Sequence, residues 1–247
     1  MDDHALIASA GMDVAASAAY GARGHRLGSP PAAARAGLDL ERELWGKGYQ
    51  AIAGVDEAGR GSWAGPVVAA AVILPQDAHS LAPMLGRVDD SKRLGAATRA
   101  RLYDVIRSGA QAVGAGFGQV EEIDALGIAE ATRLAMARAI EALAFCPDFV
   151  LLDYVTLPGL RCPQRGIPHG DALSLSIAAA SIIAKVTRDR FMVELDARCP
   201  AYGFAAHKGY GTAAHRAALG RAGPSPFHRL TFRPVAAAIL PGTMRHD

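Results

Sequence analysis

The chain has 247 residues, 51% of them hydrophobic and 20% charged, with a net charge of +2. That is enough apolar material to pack one large domain with a small appendage; it excludes a disordered or fibrous chain, and two full-sized domains do not fit the length. No apolar run of about 18 or more residues suggests a membrane span, and Ile7 to Ala22 lacks the basic start and clean apolar core of a signal peptide, so the chain reads as cytoplasmic.

Residues 1–37 are rich in Ala, Gly and Ser, contain Pro30 and Pro31, and hold no period, so they read as a disordered leader. From Leu38 the pattern predicts a short helix to Trp45, then an apolar strand from Tyr49 to Asp56. Gly-rich Ala58 to Gly65 turns the chain into a second buried strand, Pro66 to Leu74. A loop carrying Asp89-Asp90-Ser91-Lys92 leads to a helix from Ala96 to Arg107 and a strand from Ala110 to Phe117. Ile128 to Leu143 repeats apolar residues near every 3.6 positions and is a helix. Phe149 to Asp153 is a buried strand ending in acid, residues 156–170 form a Pro- and Gly-rich loop, and Ser174 to Ala197 is a long helix. One side of that helix carries Leu175, Ala179, Ile182, Ile183 and Val186; Ser174, Ala178, Ser181, Lys185 and Arg188 form a small and polar stripe. A Gly-rich loop from His207 to Thr212, a short helix to Leu219 and an irregular basic stretch from Pro224 to Pro234 follow. Strands first, then helices alternating with strands, give an α/β class with a mixed central sheet flanked by helices and a helical C-terminal part. The expected organisation is a leader over 1–37, a catalytic domain over 38–195 and a basic extension over 196–247.

Charge is uneven along the chain. Residues 197–246 hold seven Lys or Arg, four His and no acid, a candidate phosphate-facing surface or a merely solvated basic face. Only four of the 26 basic residues are Lys, namely Lys47, Lys92, Lys185 and Lys208, which hints at positions that need a compact ammonium. Cys146, Cys162 and Cys199 form no C-x-x-C pair, which excludes a disulfide framework and a zinc ribbon.

Chemistry concentrates at Gly54-Val55-Asp56-Glu57-Ala58-Gly59-Arg60-Gly61. Adjacent carboxylates at the end of a buried strand need a counter-charge, because an unpaired buried carboxylate is very costly. Arg60 or Lys92 could supply it; so could a hard divalent cation. Asp153 ends a second buried strand, and Asp171 stands just before the long helix. If the strand ends converge, Asp56, Glu57, Asp153 and Asp171 form a cluster suited to Mg²⁺ or Mn²⁺ and to phosphoryl transfer by two metal ions. Gly59-Arg60-Gly61 is not a nucleoside-triphosphate loop, since G-x-x-x-x-G-K-[ST] is absent; two glycines about an arginine let the main chain approach a ligand, or make a plain hairpin turn.

Five blocks in order, GVDEAGRGSWAG from Gly54, Asp90-Ser91-Lys92, Gly127 to Leu143, Gly170-Asp171 with Ser176 to Arg190, and Tyr202 to Phe232, closely resemble bacterial ribonuclease HII over about residues 38–235. The resemblance implies a ribonuclease H-like fold and an endonuclease acting as a monomer on RNA·DNA hybrids and on duplex DNA containing ribonucleotides, incising at single embedded ribonucleotides and leaving a 5′-phosphate and a 3′-hydroxyl. It implies that Asp56, Glu57, Asp153 and Asp171 hold Mn²⁺ or Mg²⁺, that the backbone of Gly59, Arg60 and Gly61 contacts the ribose 2′-hydroxyl, and that Tyr210 stacks on the adjoining deoxyribose. Lys92, Lys185 and Arg188 are the implied phosphate holders. Ser62-Trp63 stands where the family usually has Pro-Leu, and Tyr154 where it commonly has Gly; no sliding-clamp motif is visible after Val235. The competing readings are a DNA nuclease of the same fold, which would lack the 2′-hydroxyl reader, and a binding module without catalysis, which would have no use for four acids.

Overall fold

In the computed structural model, which describes residues 36–77, 81, 84 and 94–239, the apolar runs assemble into one mixed sheet. In chain order the elements are α1 (Asp39–Gly46), β1 (Ile52–Ala58), β2 (Val67–Ile73), α2 (Ala96–Gly109), β3 (Ala112–Gly118), α3 (Val120–Leu126), α4 (Ile128–Glu141), β4 (Phe149–Asp153), β5 (Gln164–Ile167), α5 (Gly170–Leu173), α6 (Leu175–Arg198), α7 (Phe204–His207), α8 (Ala213–Ala222) and α9 (Arg233–Ile239). Residues 1–35 of the expected leader and the whole Asp89–Lys92 loop lie outside the described residues.

The sheet order is β3-β2-β1-β4-β5. β1, β2 and β3 form an antiparallel meander, while β4 runs parallel to β1 and β5 parallel to β4. Period-2 alternation then sorts the side chains. Ala53 and Val55 of β1, Val67, Ala69, Ala71 and Ile73 of β2, and Val150 and Leu152 of β4 face α4, whose Ala131, Ala135 and Ala139 recur every fourth residue and let the helix lie close. Ala70 and Val72 of β2 face α2 and α6 instead, and Leu151 of β4 packs with Ile177 of α6 in the neighbouring cluster. Asp56 and Asp153 share this second parity. The register pairs Val55 with Leu152, so one step further both acids stand side by side at the ends of adjacent parallel strands.

Helix α6 crosses this face along both of its sides. The expected polar stripe is therefore not a solvent face: Ala178, Ser181 and Arg188 are as buried as Leu175 and Ile182, because α2 and the C-terminal segment cover the flank the sheet leaves open. Ser174 caps α6 by accepting from the Ile177 amide at 3.2 Å. Buried Glu41 of α1 reinforces that end, its Oε1 accepting from Ser174 Oγ at 2.6 Å, Ser176 Oγ at 2.7 Å and Ser176 N at 2.9 Å, where a carboxylate also favours the helix dipole.

Three expectations change. The described fold includes Ala36 and Gly37, which were assigned to the leader; Ala36 is buried and Gly37 is bridged to Ser174, with Leu175 N donating to Gly37 O at 2.8 Å. The loop over 156–170 contains strand β5, whose Gln-Arg-Gly-Ile sequence has no alternation of its own and which exists through pairing with β4. Helix α6 runs unbroken past residue 195, so the C-terminal segment continues from the core without a linker. Among the described residues no helix is long and apolar enough to cross a membrane.

Gly54 fixes the spacing of α6 over β1. A Cβ there would overlap the Ser176 carbonyl carbon and the Ile177 nitrogen, main-chain atoms that cannot swing aside. Gly54→Ala should lower stability by about 2 kcal/mol or more through overpacking, a fall in Tm of about 4 °C or more for a domain of this size. Thermal unfolding measures it, and an unchanged Tm would show that another contact sets the spacing.

Candidate active site

Asp56 from β1, Asp153 from the end of β4 and Asp171 from α5 meet where the parallel strands end. One carboxylate oxygen from each lies within 4.8 Å of the others. Their positions are imposed locally: Asp56 Oδ1 accepts from the Glu57 amide at 2.7 Å, and Asp153 Oδ1 accepts from the Gly170 amide at 2.7 Å, tying the β4 end to the turn that carries Asp171. Asp56 is only 4% exposed. Its pKa is raised well above the usual carboxylate value, first by burial, then by the negative charges of Glu57, Asp153 and Asp171. Among the described residues no arginine or lysine is a cause acting on Asp56, and a bound cation would supply a counter-charge there. A set of hard carboxylate oxygens fits a divalent cation of the Mg²⁺ or Mn²⁺ kind.

Glu57 does not join the three-acid group. Its Oε1 lies 3.2 Å from Arg60 Nη1, and its charge is the strongest of the three acidic influences on Asp56. It still lines the same cleft, at the rim. The bland reading, an arginine balancing the paired acids, thus holds for Glu57 and fails for Asp56.

The Gly59-Arg60-Gly61 turn forms one wall of this cleft of about 240 Å³, and its shape is held from behind by a buried guanidinium. Arg229 is fully buried; it donates to Gly65 O at 2.8 and 3.0 Å, to Gly59 O at 2.8 Å and to Arg60 O at 2.8 Å. With the Gly59 and Arg60 carbonyls drawn onto Arg229, peptide planarity points the Arg60 and Gly61 amides the other way. Arg229 was expected as part of a phosphate-facing basic surface; it is instead an internal clamp, because five fixed donors suit a nest of carbonyls as well as they suit a phosphate. Sequence charge alone does not separate the two uses.

Arg188 is corrected in the same sense. Expected to hold a phosphate, it is fully buried and donates to Pro66 O at 3.0 Å, Ala64 O at 3.1 Å and Lys208 O at 3.0 Å. Burial lowers its pKa, as it does for Arg229. Lys185 does line the cleft, where its Nζ pairs with Asp189 at 2.8 Å. Lys92 lies outside the described residues. Tyr210 lines the same cleft, 37% exposed, with Lys185 Nζ and the Arg188 guanidinium each 5.5 Å from its ring centre. Ser181, seen in sequence as part of the α6 stripe, lines the cleft beside Lys185. Trp63 packs inward against His215, Leu219 and Val235. Tyr154 is 74% exposed in a left-handed conformation, φ 63°, immediately after Asp153.

A sequence profile described as Ribonuclease HII matches residues 53–235. The chain belongs to the ribonuclease HII family. Ribonuclease HII of Chloroflexus aurantiacus is 54% identical over 203 residues, covering 82% of this chain and 96% of the relative; that of Roseiflexus castenholzii is 55% identical over 219 residues, covering 89% and 95%. Among solved structures, ribonuclease H2 from Pyrococcus horikoshii matches with a TM-score of 0.63 at 24% identity, over 76% of this chain and 96% of its own. The ribonuclease HII of a PCNA complex from Archaeoglobus fulgidus matches at 0.59 and 27% identity, over 74% and 95%. The fold is ribonuclease H-like, and this family member is a hydrolase, an endonuclease that degrades the RNA strand of RNA·DNA hybrids.

Three substitutions test how this ribonuclease HII site is built. A raised folded pKa means that ionising Asp56 at neutral pH opposes folding, so the penalty grows as pH rises through that pKa. Asp56→Asn, which keeps the acceptor for the Glu57 amide, should therefore raise the Tm of the chelator-treated protein at pH 7 while abolishing cleavage; a lower Tm would mean that the cluster is balanced by the chain itself. The two turn glycines should also part company. Gly59, φ 94°, is packed against the Arg188 guanidinium, whereas a Cβ on Gly61 would meet open space. Gly59→Ala should lose stability; Gly61→Ala should keep its Tm and lose cleavage by about 10-fold or more through misplacing the substrate. Equal effects on Tm would refute the division of labour.

Proposed function

We propose that this chain incises duplex DNA at single embedded ribonucleotides as well as degrading the RNA strand of hybrids, by two-metal-ion hydrolysis that leaves a 5′-phosphate and a 3′-hydroxyl. The observation that supports the reading is one cleft lined together by Asp56, Glu57 and Asp153, the Gly59-Arg60-Gly61 turn and Tyr210. Asp56, Asp153 and Asp171 would hold the cations, Mn²⁺ or Mg²⁺, with Glu57 contributing from the rim. Bound there, divalent ions supply an activated water and stabilise the leaving 3′ oxygen.

The chain's own residues do the selecting. A 2′-hydroxyl is the group that separates RNA from DNA at one nucleotide, and the outward amides of Arg60 and Gly61, held by Arg229, are donors that need no side-chain ordering to meet it. Gly61 leaves room for the sugar to come close. Tyr210, across the cleft, stacks on the next sugar, where a second 2′-hydroxyl would collide with the ring. Lys185 lies beside Tyr210 and favours the phosphate between the two sugars. We place the activity in the cytoplasm, in removal of ribonucleotides from DNA, by a monomer.

The test uses a labelled duplex with one ribonucleotide, the same duplex in all-DNA form, and a uniform RNA·DNA hybrid, each with Mn²⁺, with Mg²⁺ and in chelator. Incision is expected at the ribonucleotide with either ion. The all-DNA duplex should be rejected by about 10⁴-fold, since a site built to bond a hydroxyl leaves polar groups unpaired without it. Tyr210→Ala should depress kcat/KM most on the single ribonucleotide. Cleavage of the all-DNA duplex at a comparable rate would overturn the 2′-hydroxyl reading, and equal depression on both RNA-containing substrates would remove the junction role of Tyr210.

A further inference from the structure

Behind the Tyr210 wall, three histidines of the C-terminal segment pack together without touching the acids. His215 and His228 are fully buried, and His207 stacks on His215 at 4.4 Å with 13° between the rings. Core filling alone would explain aromatic packing against Phe204 and Trp63. It does not explain the hydrogen bonds, which form a single directed chain.

The direction follows from elementary donor counting. The Ser225 amide donates to His228 Nδ1 at 3.0 Å, so that nitrogen carries no proton and the His228 proton sits on Nε2. His228 Nε2 lies 3.0 Å from His215 Nε2, which must then accept, leaving the His215 proton on Nδ1. His215 Nδ1 donates at 3.0 Å to the carbonyl of Tyr210. That carbonyl also accepts from the Thr212 amide at 2.8 Å, while Thr212 Oγ1 accepts from the His215 amide at 3.2 Å. Two donors fix the plane of the peptide that follows Tyr210. The Tyr210 amide is held in turn by His207 O at 2.9 Å, so both sides of this one residue are tied to the histidine layer. Burial favours the neutral rings of His215 and His228, lowering the pKa of the first and taking that of the second down to about 4.

We propose that His215, oriented by His228, is a positioning residue for Tyr210, and that its Nδ1–H bond to the Tyr210 carbonyl sets the preference for an isolated ribonucleotide over an RNA·DNA hybrid. The proposal rests on the reading of Tyr210 as the ring that meets the second sugar. Neither histidine lines the cleft, so neither touches substrate; their action runs through the main chain at residues 210–212.

Two isosteres separate the bond that matters from mere filling of space. Asparagine places its amide nitrogen where Nδ1 stands and keeps the donor to Tyr210; glutamine reaches the Nε2 position and keeps the partner of His228, but drops that donor. The measurement is the ratio of kcat/KM on the single-ribonucleotide duplex to that on the hybrid, for wild type, His215→Asn, His215→Gln and Tyr210→Ala, with the Tm of each. His215→Gln should lower the ratio by about tenfold, within the roughly 100-fold that a misplacement of about 1 Å can cost, and His215→Asn should restore it at a similar Tm. If Tyr210→Ala lowers the ratio and His215→Gln does not, or if Asn and Gln behave alike, the positioning role is wrong while the junction reading stands. If Tyr210→Ala leaves the ratio unchanged, both fall together. Should His215→Gln fail to fold, the ring ¹⁵N shifts of the wild-type protein decide: Nδ1–H on His215 with Nε2–H on His228 is expected, and the reverse tautomers overturn the proposal.

Discussion

Repulsion among three crowded carboxylates, two of them buried, is the constraint around which this molecule is arranged. Two unit charges about 4 Å apart repel by about 4 kcal/mol at the effective dielectric of a protein surface, and Asp56, Asp153 and Asp171 bring their oxygens within 4.8 Å of one another. Such an arrangement persists only where the backbone leaves the acids no escape. Two sit at the ends of strands locked in register, and the third sits in a short turn fastened to Asp153 through the Gly170 amide. The tight spacing of α6 over β1, with a glycine at the crossing, and the serine and glutamate that cap α6 hold that geometry from the other side.

A second electrostatic problem lies a few residues away and is solved in the opposite manner. Arg188 and Arg229 are buried cations whose bonding partners are main-chain carbonyls: Pro66, Ala64 and Lys208 for one, Gly59, Arg60 and Gly65 for the other. Carbonyl dipoles take the place of water about each guanidinium. The arrangement also ties a segment near residue 229 to a turn near residue 60, so the C-terminal segment is part of the cleft's construction.

How much of this could be read from the sequence depended on whether the cause was local. The strands ending in Asp56 and Asp153, the α4 period and the long run of α6 are local patterns, and their elements form within a residue or three of where the spacing put them. Strand β5 was hidden because nothing in Gln164 to Ile167 marks a strand until β4 lies beside it. Convergence of Asp56, Asp153 and Asp171 was inferred from charge, together with Glu57, which lines the same cleft outside the three-acid group. Arg188 and Arg229 were misread because arginine chemistry is the same toward a carbonyl and a phosphate; only burial distinguishes them. His215 and His228 gave no signal at all, since thirteen positions separate them and neither sits in a pattern with metal-ligand spacing.

The two electrostatic solutions have to be kept apart for the site to work. A guanidinium pairing with Asp56 would stabilise its charge and pull its pKa down, and the cluster would then be satisfied without any cation. What shifts Asp56 is burial and its three acidic neighbours, while the guanidiniums behind the turn are saturated by carbonyls. The main chain of residues 59–66 therefore acts as an insulator between opposite charges: its carbonyls face the buried arginines, and the amides of Arg60 and Gly61 turn the other way, in a turn that lines the acid cleft. One segment of backbone thus holds the buried arginines away from Asp56 and turns fixed amide donors toward the cleft. Arg60, the one arginine of the turn whose side chain is exposed, is engaged at the rim by Glu57, which keeps it from collapsing onto Asp56.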